Sequence, residues 1–210
     1  LYHKHRNPAV LRRTGVPGTV MLTFDDGPDP EYTGRLLDLL KKEEVKAAFF
    51  VVTREAVKEE ALIDRMLSEG HVVGFHSMDH QNAMVRGYLH TKKDFRTGCE
   101  FMKRKGISDI WYRPPWGLTN LFSWHFVRKY GMKMVLWDVM AEDWEREATV
   151  GSIRKKCLSR VKDGSILCLH DGGRRTGGAP GAPEKTLEAL TYVIPALKEA
   201  GCRFILPSEA

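Results

Sequence analysis

The 210-residue sequence lacks the marks of several large protein classes. It has no apolar run long enough to cross a bilayer, so no transmembrane segment is predicted. Its four cysteines are widely spaced without a Cys-x-x-Cys pair, which excludes a disulfide scaffold and zinc-finger spacing. Neither a recognition helix nor an aromatic ladder among basic residues is recognisable, and we therefore predict no nucleic-acid partner. The remaining composition, 42% hydrophobic and 29% charged, is typical of a globular domain.

Positive charge is in modest excess, with a net charge of +6. Much of it lies near the N-terminus, in His3-Lys4-His5-Arg6 and Arg12-Arg13. We interpret residues 1–18 as a basic N-terminal arm exposed to solvent, with attraction to an anionic envelope surface as a secondary hypothesis. A chain that begins at Leu1 is expected to be a processed form or an excised domain. Residues 19–210 are predicted to form a single domain.

Strand and helix patterns alternate along that domain. Continuous apolar runs, such as residues 47–52, indicate strands buried on both faces, as in a parallel sheet covered by helices. Strands are predicted over 19–24, 47–52, 71–75, 110–112, 133–137, 165–169 and 202–206, and helices over 31–42, 60–69, 94–105, 120–129, 149–161 and 186–200. This order predicts an α/β fold, either a parallel barrel or a doubly wound sheet.

Polar residues follow the carboxyl ends of these predicted strands. In parallel α/β folds those ends form one rim, and active sites are built on it. The residues concerned are Asp25, Asp26, His76, Arg113, Asp143 and His170. We therefore expect side chains far apart in sequence to meet around one cavity.

The adjacent acids Asp25 and Asp26 call for a nearby positive charge, since like charges raise each other's pKa unless something compensates. A metal ion is the best candidate, because His76 and His80 lie at i and i+4 and would share one face of a helical turn. One carboxylate and two imidazoles leave coordination positions open to water. Such a set is typical of a catalytic metal and not of a closed structural one.

Five motifs together resemble one known family. They are Thr23-Phe24-Asp25-Asp26-Gly27, His76-Ser77-x-x-His80, Arg113-Pro114-Pro115-Trp116-Gly117, Asp143-Trp144 and Leu169-His170. In this order they resemble the polysaccharide deacetylases with a NodB-type domain, carbohydrate esterase family 4, from Val20 to Leu206. The resemblance implies a single-domain distorted (β/α)7 barrel with its site at the C-terminal rim. It also implies metal-dependent removal of acetyl groups from N-acetylglucosamine-containing polysaccharides, either peptidoglycan or chitin-like.

The resemblance assigns Asp26, His76 and His80 to one divalent metal ion. Zinc is expected from this donor set, with cobalt, nickel or manganese as alternatives. Asp25 is implied as the general base, and the opposite directions of adjacent strand residues are consistent with separate roles for the two acids.

Arg113 is expected to pair with Asp25, and His170 to protonate the departing sugar amine as general acid. Substrate contacts are expected from Trp116, whose backbone N–H would face the acetyl oxygen, and from Asp143 and Trp144.

The chain departs from the family pattern at three positions, one of which is Phe75, in place of a frequent small polar residue before His76. Met140 stands where many members have an acid that orients the catalytic histidine, so His170 would lack its usual carboxylate partner. We put forward Asp138, two residues earlier, as a substitute. Cys168 replaces the usual leucine beside Trp144 in the acetyl pocket, which predicts a slightly roomier pocket.

Two other functions stay open at this stage. One is a small-molecule amidohydrolase or xylan esterase, and the other is a carbohydrate-binding homologue that has lost catalysis. Retention of Asp25 and His170 disfavours the second, because binding alone needs neither base nor acid. The expected partner is an N-acetylated glycan outside the cytoplasm, and a monomer is favoured.

Overall fold

A curled sheet of parallel strands forms the centre of the computed structural model, which describes residues 10–210. The strands are β1 (Val10–Leu11), β2 (Thr19–Asp25), β3 (Ala48–Val51), β4 (Val72–Phe75), β5 (Trp111–Tyr112), β6 (Lys133–Val135), β7 (Val139–Met140), β8 (Ser165–His170) and β9 (Arg203–Phe204). The helices are α1 (Thr33–Lys42), α2 (Thr53–Lys58), α3 (Glu60–Ser68), α4 (Tyr88–Arg104), α5 (Leu121–Lys129), α6 (Val150–Arg160) and α7 (Ala182–Glu199).

The sheet runs in the order β1-β6-β5-β4-β3-β2-β8-β7, and β9 pairs with β2. The strand predicted over 133–137 ends at Val135 as β6, and the short strand β7, which was not predicted, follows it: β6 pairs with β5, whereas β7 pairs with β8. This stretch therefore joins the two sides of the curled sheet. The predicted parallel, single-domain distorted barrel is confirmed. The last predicted strand is shorter than expected, because β9 pairs only with Thr19 and Val20 at the start of β2.

Alternation along β2 divides the core into two parts. Its even-numbered side chains, Val20 to Phe24, belong to the large apolar cluster that includes the helices. Met21 belongs to a smaller cluster inside the barrel, and Thr23 and Asp25 share that inner face. On the inner face of β2, Met21 is therefore apolar, whereas Thr23 and Asp25 are polar and lie toward the rim.

Two helices begin at least four residues before their predicted starts, and a third helix was not predicted. The helix predicted over 94–105 begins at Tyr88, where the Tyr88 ring packs on Phe126 of α5, a contact that local periodicity does not reveal. The last helix begins at Ala182, with Pro183 in its first turn. Helix α2 was not predicted at all. None of the helices in the described part of the chain is both long and apolar enough to span a membrane.

The predicted basic arm is partly integrated into the sheet. Residues Val10 and Leu11 form β1 and pair with Met134 and Val135 of β6. The His3 to Arg6 cluster lies outside the described residues.

Candidate active site

The carboxyl ends of the strands open into a cavity of about 370 Å³. The predicted site residues on its wall are Asp25, Asp26, His76, His80, Trp116, Trp144 and His170. The two remaining predicted site residues, Arg113 and Asp143, are fully buried and lie behind this wall, in contact with Asp25 and His170 respectively. The rim predicted from strand ends thus exists, and it brings the five motifs together.

One corner of the cavity has the composition of a metal site. Asp26 Oδ1 lies 3.4 Å from His76 Nε2 and 3.2 Å from His80 Nε2. This oxygen is buried and has no hydrogen-bond partner in residues 10–210. A buried carboxylate oxygen without a partner is costly, and a cation between it and the two imidazoles would remove that cost. The residues present therefore fit a divalent ion with one carboxylate and two imidazole ligands.

The two histidines meet without the predicted helical turn. After β4 ends at Phe75, the chain runs through an irregular segment in which Ser77 and His80 have positive φ values of 69° and 51°. His76 Nδ1 lies 2.7 Å from the carbonyl oxygen of Arg113, so Nδ1 must be the protonated donor. That bond leaves Nε2 free to face Asp26, the arrangement that metal-binding histidines usually have.

Asp26 also departs from strand geometry. Strand β2 ends at Asp25, and Asp26 has a φ of 76°. This reversal turns both carboxylates toward the cavity, so the expectation that adjacent acids point in opposite directions is wrong here. Gly27 is required at the next position, because a Cβ there would lie 2.2 Å from Asp171 Oδ2. Burial would raise the pKa of Asp26, but the neighbouring imidazoles of His76, His170 and His80 hold it well below its usual range.

Asp25 is held from inside the barrel by Arg113. Arg113 Nη1 donates to Asp25 Oδ1 at 2.8 Å and to Thr23 Oγ1 at 2.7 Å. The rest of the guanidinium donates to the carbonyl oxygens of Val135 and Leu136 at 3.2 and 3.1 Å. Four hydrogen bonds to oxygen atoms thus hold this buried cation, and the Asp25 charge is compensated without any ion from solvent.

Cys168 completes the surroundings of Asp25. Its thiol donates to Asp25 Oδ2 at 3.4 Å, and the cysteine lines the cavity as the departure from the family leucine predicted. Burial and the Asp25 charge raise the pKa of Cys168 well above its ordinary value, so the thiol is a neutral donor. Asp25, Cys168 and His170 place one donor atom each within 4.8 Å of the others.

Although Met140 replaces the usual acid, His170 does have a carboxylate partner, Asp143. Its Nδ1 lies 2.8 Å from Asp143 Oδ1, and its backbone N–H donates to Asp143 Oδ2 at 2.9 Å. Thr186 Oγ1 also donates to Oδ2, at 2.8 Å. Burial alone would lower the pKa of His170, but Asp143, aided by Asp26 and Asp25, raises it to about 9. His170 is therefore an imidazolium at neutral pH.

Two expectations are corrected by this pairing. Asp138 does not reach His170, because its carboxylate accepts from Ser165 Oγ at 2.9 Å and from the Ile166 N–H at 2.7 Å. Asp143 is fully buried behind His170 and is not available for a direct substrate contact. The reason is that β7 ends at Met140 and the chain then turns at Glu142, with a φ of 54°, so that Asp143 comes back against His170.

Comparison with known proteins places this geometry in a family. The sequence profile described as Polysaccharide deacetylase matches residues 12–135. The chain belongs to the polysaccharide deacetylase family. A peptidoglycan-N-acetylglucosamine deacetylase from Bacillus cereus is 33% identical over 192 residues, which cover 90% of this chain and 86% of the relative. The prediction of a hydrolase of this family is confirmed.

Two further deacetylases are similar to this chain over almost its whole length. A chitooligosaccharide deacetylase from Sinorhizobium fredii is 33% identical over 205 residues, covering 93% of this chain and 91% of the relative. The crystal structure of a peptidoglycan N-acetylglucosamine deacetylase bound to a naphthalenyl N-hydroxybenzamide superposes with a TM-score of 0.86. That structure is 30% identical and matches 95% of this chain and 91% of its own.

Sequence reasoning missed two residues of this deacetylase-family site. Trp137, which belongs to none of the five motifs, lines the cavity. Thr176 lies in the glycine-rich segment after His170 and donates from Oγ1 to Asp26 Oδ2 at 2.6 Å. Only the fold of the segment reveals this contact: the N–H groups of Gly177 and Gly178 donate to the Gly173 carbonyl, which brings Thr176 back over the cavity. A threonine between Arg175 and Gly177 has no sequence pattern that predicts this contact.

Proposed function

We propose that the chain is a metal-dependent deacetylase that hydrolyses the acetamide C–N bond of N-acetylglucosamine units in a polysaccharide. The observation that carries the proposal is the unpartnered Asp26 Oδ1 facing two imidazoles, beside a carboxylate and an imidazolium on the same cavity. The first relatives are named for peptidoglycan and chitooligosaccharide substrates, which supports the same class of glycan here.

Asp26, His76 and His80 would hold the ion, and zinc suits two imidazoles and one carboxylate. When bound, such an ion supplies Lewis-acid activation of water and of the acetyl carbonyl. Thr176 would hold the second oxygen of Asp26, leaving Oδ1 as the ligand atom. Thr176 would thereby limit the rotation of the Asp26 carboxylate.

The acid and base steps would be carried by the chain's own pairs. Asp25 would accept the proton of the attacking water, while Arg113 offsets its charge from behind. His170 would donate its proton to the sugar amine as the C–N bond breaks, and Asp143 would hold the imidazolium in place. The backbone N–H of Trp116 is proposed as a donor to the developing negative charge on the acetyl oxygen. The exposed faces of Trp116 and Trp144 would contact the sugar.

The substrate class also suggests a location. Peptidoglycan lies outside the cytoplasm, and we propose an extracytoplasmic site of action for this chain. Residues 19–210 are proposed as the deacetylase domain, with the preceding segment supplying β1.

The experiment is a calorimetric titration of the purified chain with Zn²⁺, followed by acetate-release assays on chitooligosaccharides, peptidoglycan fragments and acetylated xylan. We expect one ion per chain and acetate release from the N-acetylated substrates that a chelator abolishes. Release from xylan alone would identify an esterase. Tight binding of glycan and zinc without any acetate would indicate a non-catalytic homologue.

A further inference from the structure

Five apolar side chains form an exposed surface that the proposed chemistry does not use. Met84, Val85 and Leu89 lie at and before the start of α4, and Leu121 and Phe122 begin α5. Their exposed fractions are 61%, 74%, 78%, 75% and 37%, so four of them are more than half exposed. We call these five residues the apolar patch. Isolated exposed leucines need no explanation, but a cluster of large apolar side chains on one face marks an interaction site.

Specific contacts fix the two halves of the apolar patch side by side. The side-chain amide of Asn120 donates to the carbonyl oxygens of Ala83 and Arg86 at 2.6 and 3.0 Å. The Tyr88 ring packs edge-on against Phe122, with centroids 5.8 Å apart. The patch is therefore one built surface and not two unrelated loops.

The segments that carry the apolar patch contain no acidic residue. Residues 80–93 and 110–137 have neither Asp nor Glu, although acids make up 27 of the 210 residues. The same segments carry exposed cations at Arg86, Lys92, Lys93, Arg128 and Lys129. Lys92 and Lys93 lie three and four positions after Leu89 on α4, which places them on the helix face of that leucine.

The acids next to these segments have partners other than these five cations: Asp109, for example, lies 3.8 Å from Lys133. Asp79 is paired with Arg54 at 2.6 Å. Asp94 is directed inward, accepting from Ser77 Oγ at 3.1 Å and from the Met78 N–H. Lys92, Lys93 and Arg128 form no ion pair with any residue between 10 and 210. The surface therefore combines exposed aliphatic side chains with uncompensated positive charge.

We propose that the apolar patch and its basic rim rest on an anionic lipid bilayer. The aliphatic side chains would insert among the acyl chains, and the lysines and arginines would pair with the anionic lipid headgroups. A second copy of this chain fits less well, because matching patches would bring the same positive rims together. Glycan recognition relies on aromatic faces, whereas four of the five patch residues are aliphatic or methionine.

The apolar patch is linked to the wall of the cavity by a short stretch of chain. Trp116 is 54% exposed, lines the cavity and packs on His80 with ring centroids 4.3 Å apart. Only three residues separate Trp116 from Asn120, which anchors the apolar patch. Docking through this face would hold the cavity close to the bilayer surface.

The test is cosedimentation of the full chain with vesicles of phosphatidylcholine alone or mixed with phosphatidylglycerol, at low and high salt. We expect binding only to the mixed vesicles, weakened by salt. The double variants Leu89→Ser/Leu121→Ser and Lys92→Gln/Lys93→Gln should each reduce vesicle affinity by about tenfold or more. Matched controls, Val57→Ser/Leu158→Ser and Lys41→Gln/Lys42→Gln, alter exposed residues elsewhere and should bind as the unaltered chain does.

Three results would overturn the proposal: no binding to either vesicle, equal binding to both, or control variants that lose binding as strongly as the patch variants. Sedimentation equilibrium without lipid gives a fourth test, since a dimer dissociated by Leu89→Ser/Leu121→Ser would make the patch a self-interface. Circular dichroism and Zn²⁺ affinity of each variant confirm that fold and metal site are intact. Those readouts keep the result independent of whether the proposed deacetylase activity is found.

Discussion

The candidate site has an acid–base half and a metal half, and the charged groups in the two halves are compensated in different ways. In the acid–base half, each titratable group has a buried partner of opposite charge: Asp25 has Arg113, and His170 has Asp143. In the metal half, Asp26 Oδ1 has only two imidazole nitrogens beside it and no hydrogen bond from the described residues.

The protein alone therefore compensates the acid–base groups, whereas the metal-site groups need a bound cation. The acid–base pairs are held by strands β2, β8 and the residues around them, and they need no ion to be stable. The metal half is complete only with a cation, because its three groups cannot satisfy one another. The variants below test whether the halves are as independent as the contacts indicate.

The largest effect is expected from Asp25→Asn. Removing the proposed base while keeping its shape should lower kcat by about 10²- to 10⁴-fold. Zn²⁺ affinity should change little, because the metal ligands are in the other half. The matched control is Asp138→Asn, whose carboxylate faces Ser165 and Ile166, and its rate should stay near that of the unaltered chain. Equal rate losses in the two variants would contradict the assignment.

Arg113→Met should have the largest effect on stability. It leaves Asp25 buried without its cation and should reduce the free energy of unfolding by about 3–5 kcal/mol. Arg54→Met provides the comparison, because the Arg54 side chain is 57% exposed and its pair with Asp79 should contribute about 1 kcal/mol or less. Denaturant unfolding of both variants measures the difference, and a similar cost for the two would show that burial is not decisive.

Thr176→Val should weaken the metal half alone. Loss of the hydroxyl that holds Asp26 Oδ2 is expected to reduce Zn²⁺ affinity by about 10- to 100-fold. Thr176→Ser retains the donor and should restore most of the affinity. Calorimetric titration measures this directly. If serine and valine behave alike, the contact does not position the ligand.

Asp143→Asn should give the smallest but most specific change, a shift in titration. The pKa of His170, raised to about 9 mainly by Asp143 against the effect of burial, should fall, so the acid form is lost at lower pH. The alkaline limb of the kcat profile then moves to lower pH. Because a raised pKa stabilises the fold below the ordinary value of 6.5 and ceases to do so above about 9, the stability cost of the variant should shrink across that range.

NMR titration of His170 in the metal-free protein checks the Asp143→Asn prediction directly. An unchanged pKa of His170 would show that Asp143 does not stabilise the protonated imidazole, even if kcat falls.

The class of fold and the set of motif residues could both be predicted from the sequence. Continuous apolar runs such as β3 can only be buried on both faces, and polar residues after such strands must share one rim. The sequence also identified Cys168 as an unusual residue in the lining of the pocket, and Cys168 contacts Asp25.

Tertiary structure decided which side chains meet. The positive φ of Asp26 turned both acids to one side, the turn at Glu142 brought Asp143 to His170 in place of Asp138, and the folded-back glycine segment delivered Thr176 to Asp26. These are backbone reversals outside regular elements, where neither period 2 nor period 3.6 applies. Local pattern therefore predicts which residues reach the rim, while the direction of each side chain there depends on contacts between segments remote in sequence.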